Sequence, residues 1–124
     1  MKKSYKDLDI YKMAYELAFK VHKMSLTLPM YELYEQGSQV RRSSKSIKDA
    51  IVEGYGRKKY EDDFIRFLVY AQGSCDEAIS QLNMISDLHF PENPLIDLID
   101  EYDLLGKKIT QFIQYVESNW NKIN

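Results

Sequence analysis

The sequence predicts an all-α protein, an antiparallel four-helix bundle with up-down-up-down topology, filling residues 1–124 as one domain. Three observations carry this. Apolar residues recur at steps of three and four in four successive segments, and no segment alternates with period two. The five glycines and three prolines fall mostly at the joints between those segments, as helix punctuation does. The predicted helices span roughly residues 9–28, 34–54, 61–89 and 94–120.

In the first segment Ile10, Ala14, Leu17, Val21, Met24 and Leu28 form the seam of a packed helix. Asp7 or Asp9 is the expected N-cap, because a carboxylate there accepts from the free N–H groups of the first turn, and Pro29 is the expected stop. The second segment keeps Val40, Ser44, Ile47 and Ile51 in line. It is expected to end at Gly54, where a residue without Cβ can take the left-handed cap conformation. The third has the longest stripe, with Phe64, Leu68, Ala71, Cys75, Ala78, Leu82 and Ile85, which makes Cys75 a core thiol. Glu61, Asp62 and Asp63 sit in its first turn, where the helix dipole favours negative charge, and Pro91 and Pro94 follow its end. The fourth repeats the rule through Leu95, Ile99, Tyr102, Leu105, Ile109, Phe112, Val116 and Trp120.

The first helix has a second apolar face. On a wheel of about 100° per residue, Tyr11, Tyr15, Phe19, His22 and Leu26 lie roughly 100–180° from Ile10, nearly opposite the seam. The third helix has a smaller version in Ile65 and Val69, and the fourth places Leu104 and Tyr115 on its back. A small bundle buries one stripe per helix, so a second aromatic stripe calls for another surface to cover it. Self-association through Tyr11, Tyr15, Phe19, His22, Leu26, Ile65 and Val69 is the expectation. The competing explanation is that ten tyrosines in a short chain leave some rings in water, which tyrosine tolerates.

Charge is divided unevenly. Residues 1–59 carry 13 Lys/Arg against 7 Asp/Glu, while residues 60–124 carry 4 against 12, and the two halves sum to −2. The densest basic stretch runs from Arg41 to Lys59. Such a block can meet phosphate, or it can meet the chain's own acidic half. On the second helix Arg41, Lys45 and Lys48 share one ridge beside the core, whereas Arg42 shares its ridge with Asp49 and Glu53 and is expected to be the structural arginine. Arg57, Lys58 and Lys59 follow Gly56 at the helix end, where positive charge complements the dipole. Arg41, Lys45, Lys48, Arg57, Lys58 and Lys59 are therefore the candidates for binding RNA or DNA backbone. Tyr55 and Tyr60 flank the basic loop and could stack on bases. No base-reading motif accompanies them.

Enzyme readings are weak. Gly54-x-Gly56 lacks the third glycine, the Gly-Lys-Ser/Thr ending and the preceding strand of a phosphate loop. Neither His22 nor His89 has a glutamate three residues before it, so paired Glu-x-x-His di-iron ligands are missing. One cysteine and two histidines do not make a structural zinc site, and Cys75 on a core stripe is a poor nucleophile. No catalytic residue, cofactor, metal or small-molecule substrate is expected. No apolar run approaches the roughly 18 residues of a membrane span, and the first residues lack a signal-peptide apolar region, so a cytoplasmic protein with no membrane partner is expected.

Gly37-Ser38-Gln39-Val40-Arg41-Arg42-Ser43-Ser44-Lys45-Ser46-Ile47, then Ile51-Val52-Glu53-Gly54-Tyr55-Gly56-Arg57 and Phe64-Ile65-Arg66-Phe67-Leu68, resemble the S23 family, four-helix-bundle proteins encoded by intervening sequences of 23S ribosomal RNA genes. Leu8-Asp9-Ile10-Tyr11-Lys12, Gly73-Ser74, Glu77 and Gln81-Leu82 fit the same pattern, so the resemblance covers almost the whole chain. It implies a bundle that assembles into a ring, commonly a pentamer, with no established enzymatic activity, and a structural motif through Arg42, Glu53, Gly54 and Gly56. A protein similar in fold, the accessory variability determinant of diversity-generating retroelements, binds nucleic acid through a basic surface. This chain departs from that relative in being acidic overall. It departs from the family pattern in having Ser43 and Ser44 where alanines are usual, and Ala50 and Val52 where Asn and Ala are usual. The function expected is that of a self-assembling, nucleic-acid-binding accessory protein; the alternative is a protein–protein adaptor or structural oligomer.

Overall fold

Each apolar stripe becomes a helix whose inward face is the predicted seam. The computed structural model describes residues 3–123, with side chains through Trp120, so the predicted unit's residues 1, 2 and 124 lie outside the described residues. A 3-10 turn at Tyr5–Asp7 leads into α1 (Asp9–Ser25), the short α2 (Met30–Leu33), α3 (Gln36–Gly56), α4 (Glu61–His89) and α5 (Ile96–Ile123). No strand occurs among the described residues. One core cluster collects Ile10, Ala14, Leu17 and Val21 of α1, Val40, Ile47 and Ile51 of α3, the whole predicted stripe of α4, and Tyr102, Leu105, Ile109, Ile113 and Val116 of α5.

Cross-helix pairs give the direction of each neighbour. Along α4 and α5, Phe64 meets Phe112 and Trp120, Gln72 bonds Thr110, and Cys75 bonds Tyr102, so one number rises as the other falls. Between α3 and α4 the pairs are Ser43 with Gln81, Ser46 with Ser74, and Gly54 with Phe64 and Phe67. For α1 and α3 they are Ser25 with Arg41 and His22 with Lys45, while α1 and α5 join through Lys20 and Glu101. The order of neighbours is α1–α3–α4–α5 and back to α1, with the helices running up, down, up and down. It follows that α1 and α4 stand at diagonal corners.

Several boundaries and caps differ from expectation. The first helix stops at Ser25, not at residue 28: the Ser25 hydroxyl donates to the His22 carbonyl at 2.8 Å, and the chain closes a further turn that buries Leu28. Neither Asp7 nor Asp9 caps it, since Leu8 holds the N-cap position without a side-chain bond. Asp7 instead accepts the Ser4 N–H at 2.8 Å, closing the preceding 3-10 turn. Pro29 does not merely end a helix; it is the N-cap of α2, which periodicity did not predict because four residues are too few to show a period. The second predicted helix is shifted to Gln36–Gly56, and α5 runs from Ile96 to Ile123 with a break at Asn119 (φ −124°, ψ 20°).

Gly54 is corrected in role. No described glycine has positive φ, and Gly54 is an ordinary helical residue buried in the last turn of α3. Its missing Cβ serves packing: a methyl there would stand 3.1 Å from Phe67 Cβ and 3.3 Å from the Phe64 carbonyl oxygen. Gly56 needs no such space, because nothing lies within 4 Å of a Cβ built on it, and the same holds at Gly73, an exposed position of α4. In urea unfolding, Gly54→Ala is expected to lose about 1 kcal/mol, as overpacking of roughly 1–3 kcal/mol outweighs the helix-propensity gain, while Gly73→Ala is expected to gain about 1 kcal/mol.

Candidate functional site

The outer face of α1 remains open after the bundle has closed. Tyr15 and Phe19 are 54% and 56% exposed although they occupy a helix whose other face is buried, and Leu26, the residue that caps its end, is 58% exposed. Tyr11 is half-buried, held edge-on by Tyr5 at 4.9 Å between ring centroids, and Tyr15 continues the row at 6.0 Å. His22 is half-buried, with Nδ1 3.2 Å from Lys45 Nζ. Tyr15, Ala18, Phe19 and His22 of α1 line an open groove with Lys45 and Lys48 of α3, and Lys23 lies over the Phe19 ring at 4.9 Å. Cations and rings thus share one surface. Val69 and Tyr70 form a second exposed patch on α4, at the diagonal corner, whereas Ile65 packs partly against the core. The predicted interface residues therefore lie on two separate faces.

The basic residues do not make one ridge. Arg41 was expected to face phosphate and Arg42 to be structural, and the structure reverses both. The half-buried Arg41 guanidinium donates to Ser25 Oγ at 2.8 Å and to the Leu33 carbonyl at 2.9 Å, whereas Arg42 is exposed and makes no ion pair among the described residues. Neighbours on the same helix do not decide which arginine is held, because the partners of Arg41 come from α1 and α2. Lys48 bonds its neighbour Asp49 at 2.6 Å. Arg57 lies 3.6 Å from Glu53 and 4.0 Å from Asp63, and its guanidinium covers the Phe67 ring. Lys58 and Lys59 are exposed, without ion pairs among the described residues; Lys58 Nζ stands 4.0 Å from the centre of the Tyr55 ring and Lys59 lies over Tyr60. Of the residues singled out for a structural motif, Glu53 is exposed and holds Arg57, and Gly54 allows the α3–α4 approach. Gly56 ends α3.

A buried polar knot between α2, α3 and α4 escaped sequence reasoning. Glu32 is 4% exposed, with Oε2 2.7 Å from His89 Nε2 and 3.0 Å from the Gln36 amide nitrogen. The bond from His89 holds the Glu32 carboxyl below the ordinary carboxylate value, against burial, which pushes the other way. Gly37 makes room for this knot, since a Cβ there would meet Arg41 Nη1 and the Glu32 carbonyl at 3.1 Å each. The signal available was Gly37 itself: a glycine one residue inside a helix start marks a close approach.

Cys75 is fully buried, its thiol donates to the Tyr102 carbonyl at 3.3 Å, and burial, reinforced by Asp76 and Asp103, pushes its pKa up to about 12. It cannot act as a thiolate near neutral pH. Tyr102 beside it is also fully buried, and its hydroxyl has no partner in bonding geometry. Burial first, then Cys75, raises the phenol above the usual tyrosine value, and the nearby Ser44 hydroxyl opposes that shift. No group of three or more His, Cys, Asp or Glu that could hold a metal occurs among the described residues, and no helix is long and apolar enough to cross a membrane.

Unfolding separates the two arginines. Arg41→Gln is expected to lose about 2 kcal/mol in chemical denaturation, since it removes two bonds from a charged donor. Arg42→Gln is expected to stay within about 0.5 kcal/mol of the parent. For Glu32 the folded pKa lies below the unfolded value of 4.5, so its contribution is complete above that pH and is lost as pH falls through the depressed folded value. The stability difference between the parent and Glu32→Gln is therefore expected to be level near neutrality and to shrink below pH 4.5, measured by urea unfolding across a pH series.

No curated protein matches the chain. The family model of the 23S rRNA-intervening sequence protein matches residues 6–111, which take in the 3-10 turn from its second residue, α1 to α4 and most of α5. The Arg41 clasp and the Gly54 contact fall inside that match, and the chain belongs to the 23S rRNA-intervening sequence protein family.

Proposed function

We propose that this protein is a non-enzymatic, self-assembling bundle whose copies meet through the outer face of α1. The observation that carries this is the row Tyr15, Phe19 and Leu26, each more than half exposed, beside Lys45 and Lys48. Covering the exposed halves of three such side chains is worth roughly 3 kcal/mol per interface, too little for a lasting pair but enough when a closed ring gives every subunit two interfaces. The exposed α4 patch with Val69 offers the second, different surface that a head-to-tail contact needs, and five is the subunit number that the family resemblance implies. Assembly takes place in the cytoplasm in this reading.

A second role is capture of RNA or DNA backbone by the assembled loops. It is favoured by Lys58 and Lys59, which stand in solvent without acidic partners among the described residues and would be repeated around the ring. The competing role, a protein–protein adaptor without nucleic acid, is favoured by the pairing of Arg57 with Glu53 and Asp63 and of Lys20 with Glu101. Light scattering on nuclease-treated protein is expected to give a mass near five times 14.7 kDa, with Phe19→Asp reducing it to a single subunit. A parent that is monomeric at micromolar concentration refutes the assembly. RNA binding followed across a salt series is expected to weaken steeply, and the Lys58→Gln/Lys59→Gln double variant to show a smaller slope; binding that is absent at low salt leaves the adaptor role.

A further inference from the structure

Where the chain's N-terminal turn, the end of α3, the start of α4 and the last turns of α5 converge, one end of the bundle holds a groove of about 490 Å³. Its size falls within the roughly 300–1,000 Å³ of small-ligand sites. Four aromatic rings stand in its walls beside Leu8 and Val116: Tyr55 meets Phe64 edge-on at 6.4 Å, Phe64 meets Phe112 at 6.0 Å, and Phe112 and Tyr115 lie nearly parallel, 24° apart. Tyr115 is 53% exposed, so one ring is open to a partner. Two cations, Lys3 and Lys58, line the same groove, and Lys58 is already seated over Tyr55. The one lining carboxylate, Asp7, is turned onto the Ser4 N–H, and Ser4 Oγ accepts the Lys6 N–H, leaving the Ser4 hydroxyl free to donate. Asn119 lines the groove at the break in α5; its amide nitrogen donates to the Tyr115 carbonyl at 2.9 Å, which leaves its Oδ1 as an acceptor.

A flat ring with an anionic group attached satisfies all of these features together. We propose that this groove binds a single unstacked purine nucleotide: the base against Tyr115 and Phe112, an exocyclic amino group toward Asn119 Oδ1, and the phosphate between Lys58, Lys3 and the Ser4 hydroxyl. Ring stacking and charge-assisted bonds are the usual means by which proteins hold unpaired nucleotides. The nucleotide is either free or the unpaired end of a single strand. The inference shares Lys58 with the backbone-capture role and adds to it the recognition of a base.

Calorimetry and quenching of the single tryptophan, Trp120, which lies against Phe64, test it with adenosine monophosphate, ribose 5-phosphate and inorganic phosphate as probes. Adenosine monophosphate is expected to bind at least tenfold more tightly than ribose 5-phosphate. Tyr115→Ala, which alters an exposed ring, and Lys58→Gln are each expected to weaken it about tenfold, while Lys107→Gln, on the exposed stretch of α5 beside Gln72 and Asp76, leaves it unchanged. Single-stranded oligoadenylate favoured over the same strand in a duplex assigns the groove to a strand end; adenosine monophosphate binding without that preference assigns it to free nucleotides. Equal affinity for adenosine monophosphate and ribose 5-phosphate, or a Tyr115→Ala affinity equal to the parent's, overturns the proposal. Salt-dependent duplex binding alongside such a result leaves backbone capture standing while the groove falls. Adenosine monophosphate binding without duplex binding supports the groove and removes backbone capture.

Discussion

A helix in a bundle of this size can press only one stripe against its neighbours, and α1 has two. Burial of Ile10, Ala14, Leu17 and Val21 orients the helix completely, because these four are at most 5% exposed and any rotation would draw a methyl group into water. The orientation of Tyr15 and Phe19 is then no longer free. They are held outward by the core, not by anything they touch outside it. The exposed face is thus a consequence of the best-packed part of the molecule, and its rigidity lowers the entropic cost of covering it.

The same constraint governs the small residues of α3. Ser43, Ser44 and Gly54 are buried on α3, and Ser43 and Gly54 stand where it meets α4 and keep the two backbones close. Serine in place of alanine preserves that distance, since Ser43 Oγ reaches Gln81 and the Val40 carbonyl and Ser44 Oγ reaches the Arg41 carbonyl, so neither hydroxyl is left unpaired. At Tyr102 the matching is incomplete: a phenol fully buried without a bonded partner costs stability. Among the described residues it is the one buried side-chain polar atom left without a bonded partner, a place where volume has prevailed over polar satisfaction.

Periodicity made the four long helices legible because each buries one continuous stripe, and α4 matches the predicted span from Glu61 to His89. The family was legible from Arg41-Arg42 and Glu53-Gly54-Tyr55-Gly56-Arg57. What did not show was anything depending on a contact between segments. Arg41 and Arg42 are neighbours of the same type, and only the position of Ser25 and Leu33 on other elements decides which one the protein buries. Glu32 and His89 are 57 residues apart and meet only because α2 folds under the end of α4. Gly54 was read as a turn residue because glycine near a helix end usually is one; its use for side-chain clearance depends on Phe67, which belongs to the next helix. Gly37 offered the same clue near the start of α3.

Charge follows this division between what one segment carries and what the fold brings together. Part of the positive charge in residues 1–59 is already held: Arg41 by Ser25 and the Leu33 carbonyl, Arg57 by Glu53 and Asp63, Lys20 by Glu101, Lys48 by Asp49, while Arg42 stands exposed without an ion pair among the described residues. Lys58 and Lys59 stand in the same four-residue connection between α3 and α4 as Arg57 but pair with no carboxylate among the described residues, and settle on Tyr55 and Tyr60 instead. A lysine over an aromatic face keeps its charge and much of its hydration, and the interaction is worth only about 0.5–1 kcal/mol at an exposed site. These two residues therefore remain available to a stronger anion at small cost, whereas releasing Arg41 would strip the Leu33 carbonyl and Ser25 of their donor. Availability for binding in this protein is set by how weakly a cation is already held, and not by how many cations stand together in the sequence.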